Sequence, residues 1–530
     1  MTDADFYPRF EPARVLPIEL RELVAQFDGQ YANKSGALAA NEVEANPEIR
    51  GIVIDNRVVR AGDIFAALTG AQRHGIEFAP AALAAGAAAV WTDAAGLTKL
   101  QREHPEVLAR VPVIVSDDPR AQIGPIAARI MSQPADALTL VGITGSNGKT
   151  TTAFLVAAAL KAHFGAVALR GTVGTLLDDE EIPSQRTTAE GPELQEFFAI
   201  MAQRNIPAAA LEVSSHAIAQ HRIAGAHFGV VGFTNLQRDH LDYHGDMENY
   251  FQAKLAFLQP QFTSDAVVCI DDQWGERAAR ESGVATQTLS TGGQQATWQV
   301  RDVTPRRTAD GAVDVGAEFV LQGPEESVGV RTHLVGAFNV TNAALAIVLA
   351  HRAGVPLRVA ADAVGEHPGV PGRMEHVFGR DPGPLALVDY AHAADSVEAA
   401  AAAARPLTPG RLILAVGAGG NRDEGKRFLM GQAAARGADI VVVTDDNPRF
   451  EDPAAIRSQV RRGAQTVSGV EVLESESRRA AVQLCTDLAG EGDTILFVGK
   501  GHETTQEIRG ETFHFDDREE LRTALARRWS

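Results

Sequence analysis

The chain has 530 residues, of which 45% are hydrophobic and 22% charged, and its formal net charge is −19. This length and composition are typical of a globular protein of about three domains and exclude a disordered or low-complexity chain. The acidic balance argues against a broad nucleic-acid-binding surface, so we expect no nucleic-acid partner.

The two cysteines and the apolar segments indicate in which cellular compartment the protein is expected. Cys269 and Cys485 both lie in apolar segments, which predicts buried thiols and excludes a disulfide framework or a thiolate zinc site. The N-terminal residues do not resemble a signal peptide. The Ala-rich run at residues 79–91 is too short to span a bilayer. We therefore expect a soluble, cytoplasmic monomer without stable membrane insertion.

The first predicted domain, residues 1–135, has a small α/β pattern that begins at Gly51. Its predicted strands lie at residues 51–55, 62–68, 88–93 and 111–117. The Ala run at residues 81–90 predicts a helix, as does a second Ala run at residues 399–404.

The second predicted domain, residues 136–368, begins with a buried strand at 138–144 that leads into a glycine loop. A helix is predicted from Lys149 to about Leu160, and further strands at residues 207–215, 229–236 and 264–271. Alternating strands and helices favour a doubly wound α/β domain.

The third predicted domain, residues 369–530, follows a linker-like stretch at 365–375. Its predicted strands lie at residues 385–392, 411–419, 438–447 and 492–501. Each strand ends in polar residues or glycine, and open α/β sheets bind ligands at these ends.

The glycine loop "VGITGSNGKTTT" has the chemistry of a phosphate-binding loop. Glycines let backbone N–H groups turn toward phosphate oxygens, and the helix N-terminus adds partial positive charge. Lys149 can reach the β- and γ-phosphates and Thr150 can ligate Mg²⁺. The common P-loop pattern requires Gly at position 143, where this chain has Ile143. The residues predicted to bind ATP here are Gly145, Ser146, Asn147, Gly148, Lys149, Thr150 and Thr151.

Two polar segments follow the next strands. Glu212 comes at the end of a buried strand, where a carboxylate can hold Mg²⁺, although a polar strand-to-helix turn is an equally good interpretation of this segment. Residues 233–254 combine two His, three Asp and two Asn within a short span, and His240 is a candidate metal ligand. The cluster has no zinc-like set of thiolates, so Mg²⁺ is the expected ion.

The ordered motifs "GITGSNGKTTT", "EVSSH", "FTNLQRDHLDYHG", "GAFNVTNAALA", "GRME", "VDYAH", "GNRDEGKR", "TDDNPR" and "GKGHE" together resemble those of the Mur ligase family, MurE type. The resemblance spans residues 51–520. It implies three α/β domains: an N-terminal UDP-substrate-binding domain, a central P-loop ATPase domain and a C-terminal Rossmann-like amino-acid-binding domain.

The resemblance also assigns catalytic roles. Lys254 is similar to the lysine that becomes carbamylated and bridges to Mg²⁺, although by itself it would be read as a solvated helix lysine. The implied metal ligands are Thr150, Glu212, His240 and the Lys254 carbamate, and the implied catalytic residues are Lys149, Lys254, His240 and Glu212. From the second and third domains, Asn339, Arg373 and Asp389 are expected to close on ATP about a hinge at 365–375, with His392 and Lys426 as weaker candidates.

For the UDP-N-acetylmuramoyl dipeptide, the resemblance implies contacts from Asn56, Arg57, Gln72, Thr187, Thr188, Ser214, Gln220 and Arg222. The chain departs from the family pattern here: Asn56 replaces the usual Ser, Ala71 replaces a His, and Arg186 replaces an Asn. Further departures are Ala393-Ala394 in place of Thr-Pro, Ala418 in place of Cys and Asn421 in place of Asp.

The turn "TDDNPR" resembles the meso-diaminopimelate signature of the family. A planar guanidinium at Arg449 suits bidentate binding of the second carboxylate of this amino acid. The predicted amino-acid-binding residues are Arg422, Asp446, Asn447, Pro448, Arg449, Gly499 and Glu503.

The predicted reaction transfers the γ-phosphoryl group of ATP to the D-Glu carboxylate, with Lys149 and two Mg²⁺ offsetting charge. The amine of diaminopimelate then attacks the acyl phosphate, and an amide, ADP and phosphate result. The alternatives are the same ligase using L-lysine or another diamino acid, a folylpolyglutamate synthase-like ligase, and a nucleotide-gated binding protein.

Overall fold

The computed structural model describes residues 15–33, 36–39, 45–70, 73–182, 186–306, 315–379 and 383–529. The chain divides into two compact units. The first unit comprises Met1–Thr288 and Val348–Pro356, and the second comprises Leu289–Ile347 and Leu357–Ser530.

The N-terminal part of the first unit is built on a six-stranded sheet of order β3-β2-β8-β7-β6-β5, in which β5 to β8 run parallel. Buried side chains on both faces, among them Ile52, Phe65 and Trp91, fix the sheet between its helices. The strands are β1 (Ile18–Glu19), β2 (Gln30–Ala32), β3 (Leu38–Ala39), β4 (Glu48–Ile49), β5 (Gly51–Val53), β6 (Asp63–Ala66), β7 (Ala89–Thr92) and β8 (Val113–Val115). The helices are α1 (Leu20–Gln26), α2 (Ala79–Ala84), α3 (Ala94–Glu103), α4 (Pro105–Arg110) and α5 (Pro119–Ile130).

The helix predicted over residues 81–90 is wrong in its second half. Helix α2 ends at Ala84, and Gly86 adopts a φ of 107°, a conformation that favours glycine and ends the helix. Strand β7 then begins at Ala89 and pairs with both β6 and β8. Sheet pairing in the core therefore overrides the helix propensity of alanine.

The central part of the first unit contains the parallel strands that carry the candidate site. Their order is β12-β11-β10-β13-β9-β14-β15, in which β11 runs antiparallel to its neighbours β10 and β12 and the other neighbouring strands run parallel. The strands are β9 (Thr139–Thr144), β10 (Val167–Arg170), β11 (Thr175–Leu177), β12 (Glu180–Ile182), β13 (Ala208–Glu212), β14 (Val230–Phe233) and β15 (Asp265–Cys269). The helices are α6 (Lys149–Phe164), α7 (Gly191–Gln203), α8 (Ser215–Ala219), α9 (Leu241–His244), α10 (Met247–Leu255) and α11 (Gln273–Glu281).

The second unit begins within β16 (Ala285–Ser290) and continues with an antiparallel set that the sequence patterns did not predict. These strands are β17 (Trp298–Arg306), β18 (Gly316–Gln322) and β19 (Ser327–Thr332). Two helices follow, α12 (Ala337–Arg352), which passes the unit boundary, and α13 (Leu357–Glu366).

The rest of the second unit is a sheet of order β20-β21-β25-β22-β23-β24, parallel except for β20. All four strands predicted after residue 384 are present. The strands are β20 (Glu375–Gly379), β21 (Leu385–Asp389), β22 (Leu412–Val416), β23 (Ile440–Val443), β24 (Glu471–Glu474), β25 (Thr494–Val498), β26 (Thr505–Ile508) and β27 (Glu511–His514). The helices are α14 (Ala394–Ala404), which confirms the predicted Ala-rich helix, α15 (Gly425–Gly437), α16 (Pro453–Ala464), α17 (Arg478–Leu488) and α18 (Asp517–Arg528).

Both cysteines are free and buried, as predicted. Burial raises the pKa of each thiol well above its ordinary value. In the part of the chain that the structure describes, no helix is long and apolar enough to cross a membrane.

A fully buried ion pair joins α17 to α18. Arg478 and Asp517 are both 0% exposed, and their closest N–O distance is 2.7 Å. We expect Asp517→Ala to destabilise the second unit by about 3–5 kcal/mol, because the Arg478 cation would stay buried without its partner. Chemical denaturation of the purified protein measures this change.

The matched control is Glu520→Ala, which removes the exposed pair of Arg479 and Glu520 between the same two helices. Its expected cost is about 0–1 kcal/mol. Equal effects of the two substitutions would contradict the prediction.

Candidate active site

The phosphate loop is formed where β9 ends and α6 begins. Gly145 and Gly148 adopt φ values of 144° and 87°, which turn the backbone of the loop at both ends. A Cβ atom at position 145 would lie 1.9 Å from the Thr234 hydroxyl, so the loop requires glycine there for space as well. Lys149 is the first residue of α6, which places a positive helix end at the loop.

Residues that follow β14 hold this loop in place. The Ser146 N–H donates to the Asn235 carbonyl at 2.9 Å, and the Asn147 N–H donates to the Asn235 side chain at 3.1 Å. The Thr234 hydroxyl donates to the Asn147 carbonyl at 2.6 Å. The segment "FTNLQ" thus acts as a clamp on the loop, a role that its motif alone does not indicate.

Two lysines converge on one backbone oxygen of the loop. The amines of Lys149 and Lys254 each donate to the Gly145 carbonyl at 2.8 Å. Lys254 comes from α10, is 1% exposed and lies 4.8 Å from the ring centroid of Tyr250. Burial, reinforced by the neighbouring Lys149 charge, lowers the pKa of Lys254 well below its ordinary value. The interpretation of Lys254 as a solvated helix lysine is therefore wrong.

Glu212 ends β13 with its carboxylate buried beneath the loop. Its oxygens accept hydrogen bonds from the Thr150 hydroxyl at 3.1 Å and from the N–H and hydroxyl of Thr172 at 2.9 and 3.1 Å. Because Thr172 follows β10, the carboxyl ends of three neighbouring parallel strands meet here. The interpretation of this segment as only a polar turn does not account for a carboxylate buried against the phosphate loop.

These residues fit Mg²⁺ by the chemistry of their donors. Thr150 and Glu212 offer adjacent oxygen atoms, the ligands that Mg²⁺ prefers. Among the described residues, no group of three or more His, Cys, Asp and Glu side chains is placed to hold a metal by itself.

Three histidines with lowered pKa values lie beside the lysines. The rings of His216 and His240 are 4.8 Å apart, and those of His216 and His244 are 5.5 Å apart. Burial, with repulsion from the other two rings, lowers the pKa of His216 to about 4. Burial also lowers the pKa of His240, and Lys149 and Lys254 act in the same direction. Neutral imidazoles at neutral pH are able to serve as metal ligands.

The structure brings together five of the residues predicted to bind the muramoyl dipeptide. The Thr188 hydroxyl donates to the Glu212 carbonyl at 2.9 Å and accepts from the Ser214 N–H at 3.1 Å. Arg222 donates to the side chain of Gln220 at 2.6 Å and to the Thr188 carbonyl at 3.3 Å. The Thr187 hydroxyl lies 3.1 Å from that of Thr172, beside the Glu212 carboxylate.

Arginines surround this group, which suits an anionic ligand. Arg222 and Arg120 both pair with the buried carboxylate of Glu190, at 3.1 and 2.8 Å. Arg186, the departure from the family pattern, contributes positive charge near both Arg222 and Asp55.

The N-terminal candidates are only partly described. Asn56 begins a 3-10 turn, and Arg57 binds Asp55 through its side chain and its N–H. Gln72 and Ala71 lie outside the described residues. The uridine contacts therefore stay predictions.

We expect Arg222→Met to raise the KM for the UDP-linked dipeptide about tenfold, because the substitution removes a charged donor from the Thr188 segment. Steady-state kinetics at saturating ATP measure this value. The control is Arg204→Met, which removes a pair with Glu180 that is exposed on the same domain. An unchanged KM in the Arg222 variant would contradict this role.

Asp389 and Arg373 are residues of the second unit that are predicted to bind ATP. Asp389 ends β21, and its carboxylate accepts from the N–H groups of Met374 and Ala391 at 2.7 and 2.8 Å. Burial raises the pKa of Asp389, and the charge of Arg373 partly offsets this. The Arg373 guanidinium lies 4.6 Å from the ring centroid of Tyr390.

The other candidates of this set differ in exposure. Asn339 is 0% exposed, and its amide bonds to the Val335 carbonyl and to Asn342. His392 is exposed and lies 2.9 Å from the Tyr390 carbonyl, and Lys426 lies in the first turn of α15. Their contacts with ATP stay predictions.

The predicted amino-acid-binding residues gather at the carboxyl ends of β22, β23 and β25. Arg449 has a φ of 52°, and its guanidinium donates to the Gly420 carbonyl at 2.8 Å. That glycine belongs to the "GNRDEGKR" loop, which also carries the exposed Arg422. The buried Pro448 precedes Arg449 and fixes the turn.

The remaining members of this set are linked side chain to side chain. The Asn447 amide donates to the Glu503 carboxylate at 2.8 Å. A Cβ atom at Gly499 would lie 2.6 Å from the Asp446 carboxylate, so glycine is required for this approach. The residues predicted from three separate motifs thus form one cluster in the second unit.

Sequence reasoning missed the buried cations beneath this cluster. Arg427 pairs with Glu451 at 2.9 Å and so joins the "GNRDEGKR" loop to the residues that follow the "TDDNPR" turn. Lys500 bonds to both Asn447 and Glu503. Both residues stand inside motifs that were recognised, which is the signal that could have found them.

Comparison with known proteins gives the family. The description "Mur ligase family, catalytic domain" matches residues 48–130, "Mur ligase middle domain" matches 143–350, and "Mur ligase, glutamate ligase domain" matches 372–501. A protein of Streptomyces avermitilis named UDP-N-acetylmuramoyl-L-alanyl-D-glutamate–2,6-diaminopimelate ligase is 43% identical over 93% of this chain and 96% of its own.

Solved structures of Mur ligases have a similar fold. A structure of a UDP-N-acetylmuramoyl-L-alanyl-D-glutamate–2,6-diaminopimelate ligase is 31% identical, covers 97% of this chain and 100% of its own, and has a TM-score of 0.68. MurF ligase from Thermotoga maritima in complex with ADP covers 90% of this chain and 98% of its own with a TM-score of 0.60, and at 17% identity it shows the fold alone.

The predictions of a three-domain α/β fold and of an ATP-dependent ligase are confirmed by these matches. The boundaries drawn at residues 135 and 368 stay predictions. With family models over most of its length and a relative 43% identical over 93% of it, the chain belongs to the Mur ligase family.

Proposed function

We propose that the protein adds meso-diaminopimelate to UDP-N-acetylmuramoyl-L-Ala-D-Glu with cleavage of ATP to ADP and phosphate, a step of peptidoglycan precursor synthesis. The curated relatives that carry this activity in their names support the assignment. The observation that carries it is the grouping of Arg449, Asn447 and Glu503 in the second unit.

The charges of this cluster match the far end of diaminopimelate, which carries an ammonium and a carboxylate. Arg449 offers a guanidinium for the carboxylate, and Glu503 offers a carboxylate for the ammonium. Lysine has the ammonium but lacks the second carboxylate, so in a lysine complex Arg449 would keep only the Glu507 carboxylate and the Gly420 carbonyl as partners. The charge-assisted bonds that diaminopimelate gains with Arg449 would be lost, which disfavours the lysine complex by comparison.

For the first half-reaction, the loop of residues 145–151 binds the triphosphate through backbone N–H groups and the start of α6. Lys149 leaves the Gly145 carbonyl to pair with the phosphate oxygens, and the γ-phosphoryl group passes to the D-Glu carboxylate. Mg²⁺, held by Thr150, Glu212, His240 and the Lys254 carbamate, would neutralise charge on the transferring group.

For the second half-reaction, the diaminopimelate amine attacks the acyl phosphate. The carbon–oxygen bond to phosphate breaks, an amide forms, and the amine loses a proton. Thr187, Thr188 and Arg222 hold the muramoyl dipeptide in place for this attack. The protein accelerates this step chiefly through positioning and electrostatics, since the acyl phosphate is already reactive.

We assign the UDP-linked dipeptide to residues 1–135 with the Thr188 and Arg222 group, the triphosphate of ATP to the loop of residues 145–151, and diaminopimelate to residues 369–530. Small molecules are then the only partners that the reaction requires, and we propose a monomer. ATP and UDP-linked precursors are cytoplasmic metabolites, so we place the protein in the cytoplasm.

The test is phosphate release from ATP with UDP-N-acetylmuramoyl-L-Ala-D-Glu and, separately, meso-diaminopimelate, L-lysine or L-ornithine. Release that depends on diaminopimelate and is at least about a hundredfold more efficient than with lysine is expected. Efficient addition of lysine alone would replace the amino-acid assignment. Release dependent on a folate and glutamate would point to the folylpolyglutamate synthase alternative, and ATP binding without turnover to the nucleotide-gated binding protein.

A further inference from the structure

Lys500 is a buried ammonium directly after β25, in the motif "GKGHE". It is 0% exposed. Its amine donates to the Asn447 side-chain oxygen at 3.3 Å, to Glu503 Oε2 at 3.0 Å and to the Thr505 carbonyl at 2.5 Å. A lysine ammonium has three protons, and these three acceptors use all of them.

Two of the three acceptors belong to side chains proposed to bind the amino acid. Asn447 also donates its amide to Glu503 Oε2, so Lys500, Asn447 and Glu503 form a closed triangle. Both hydrogen bonds to the Glu503 carboxylate fall on Oε2. These bonds hold Oε2 in the triangle and leave Oε1 for a ligand, on a side chain that is 32% exposed.

The charge of Lys500 is paired with the Glu503 carboxylate, and this pairing affects how Glu503 can bind a ligand. A buried ammonium is costly unless paired, and its partner here is the Glu503 carboxylate. That carboxylate keeps one oxygen for a ligand while the other is occupied. Without Lys500, Asn447 alone would hold Glu503, and the carboxylate could rotate toward solvent.

We propose that Lys500 is a positioning residue for amino-acid selection: it orients Glu503, directly and through Asn447, to receive the distal ammonium of the incoming diamino acid. This inference rests on the proposed function of the same cluster. Lys500 does not touch the substrate, and it acts through the Glu503 carboxylate. Its loss should therefore affect the amino acid and leave ATP and the UDP-linked dipeptide unaffected.

The experiment is a double-mutant cycle of Lys500→Met and Glu503→Ala in the full-length enzyme. KM and kcat are measured by phosphate release for each substrate in turn, with the other two saturating. We expect Lys500→Met to raise the KM for diaminopimelate at least about tenfold and to change the other two KM values less than about twofold. The double variant should lie within about threefold of Glu503→Ala, because Lys500 acts through Glu503.

The matched control is Arg411→Met, which removes a cation that pairs with Asp493 at 2.7 Å at the opposite ends of β22 and β25. It should leave all three KM values unchanged. Thermal melting is recorded for every variant, and if Lys500→Met is unfolded at the assay temperature, Lys500→Gln takes its place under the same criteria.

The inference would be overturned if the rise in the KM for diaminopimelate in the double variant equalled the product of the rises in the two single variants. It would also be overturned if Lys500→Met raised the KM for ATP as much as the KM for diaminopimelate. The wild-type enzyme is first assayed with diaminopimelate and with lysine, and the cycle uses whichever amino acid supports turnover. Preference for lysine would therefore overturn the proposed function, while the cycle would still decide the role of Lys500.

Discussion

Lys254→Ala is expected to lower kcat by about a thousandfold or more while the protein stays folded. The amine of Lys254 lies at the phosphate loop, on the same carbonyl that Lys149 contacts, and it is buried beside Tyr250. A neutral amine there can take up CO₂, and the resulting carbamate would place negative charge where Mg²⁺ and ATP meet. Removing it would remove a metal ligand and the stabilisation that the ion provides in the transition state.

The measurement is single-turnover phosphate release with all three substrates saturating. Lys161→Ala serves as the control, since Lys161 lies on α6 of the same domain in exposed pairs with Asp178 and Asp179. Retention of more than about a tenth of wild-type kcat in the Lys254 variant would contradict the prediction.

Carbamylation itself has a separate readout. Burial lowers the pKa of Lys254, so a larger share of its amine is neutral than in an exposed lysine, and protonation reduces that share as the pH falls. In ¹³C-bicarbonate we expect one carbamate carbon signal in the wild type at pH 7.5, weaker at lower pH and absent in the alanine variant. A wild-type spectrum without such a signal, from active enzyme, would show that Lys254 acts as an amine.

The comparison of Lys149 with Lys254 shows what the sequence can predict. Lys149 stands inside a strand–loop–helix segment, so its place at the phosphates follows from local geometry. Lys254 reaches the Gly145 carbonyl across 109 positions of sequence, and nothing in its own helix predicts this contact. Only the family resemblance identified it, and the fold then supplied the physical reason in its burial.

The same distinction explains the errors. Residues 85–90 are rich in alanine, but Gly86 lies beyond the end of helix α2, and Ala89 and Val90 belong to β7, which pairs with β6 and β8. The helix prediction over 81–90 and the strand prediction over 88–93 overlap, and sheet pairing decides for the strand. Thr172 contacts Glu212 beside the phosphate loop, yet its segment has no recognisable motif. Its hydrogen bonds join segments that are distant in sequence, and a single sequence does not display them.

Arg449→Ala is expected to raise the KM for diaminopimelate about a hundredfold. Two charge-assisted hydrogen bonds to the distal carboxylate, at about 1.5 kcal/mol each, correspond to this factor. In the structure the guanidinium is held between the Gly420 carbonyl and the Glu507 carboxylate, at 2.8 and 3.3 Å. One contact to the main chain and one to a carboxylate fix its plane, and so prepare it for a bidentate ligand.

Arg449→Lys tests the planar geometry separately from the charge, because an ammonium keeps the charge but cannot form the paired bonds. We expect it to recover less than about a tenth of the lost affinity. Arg461→Ala is the control, since Arg461 makes an exposed pair with Glu474 in the same unit. If the Arg449→Lys variant had the wild-type KM for diaminopimelate, the charge alone would be sufficient to select the amino acid. A KM for L-lysine that falls in Arg449→Ala while that for diaminopimelate rises would show that Arg449 both attracts the carboxylate and rejects the amino acid that lacks it.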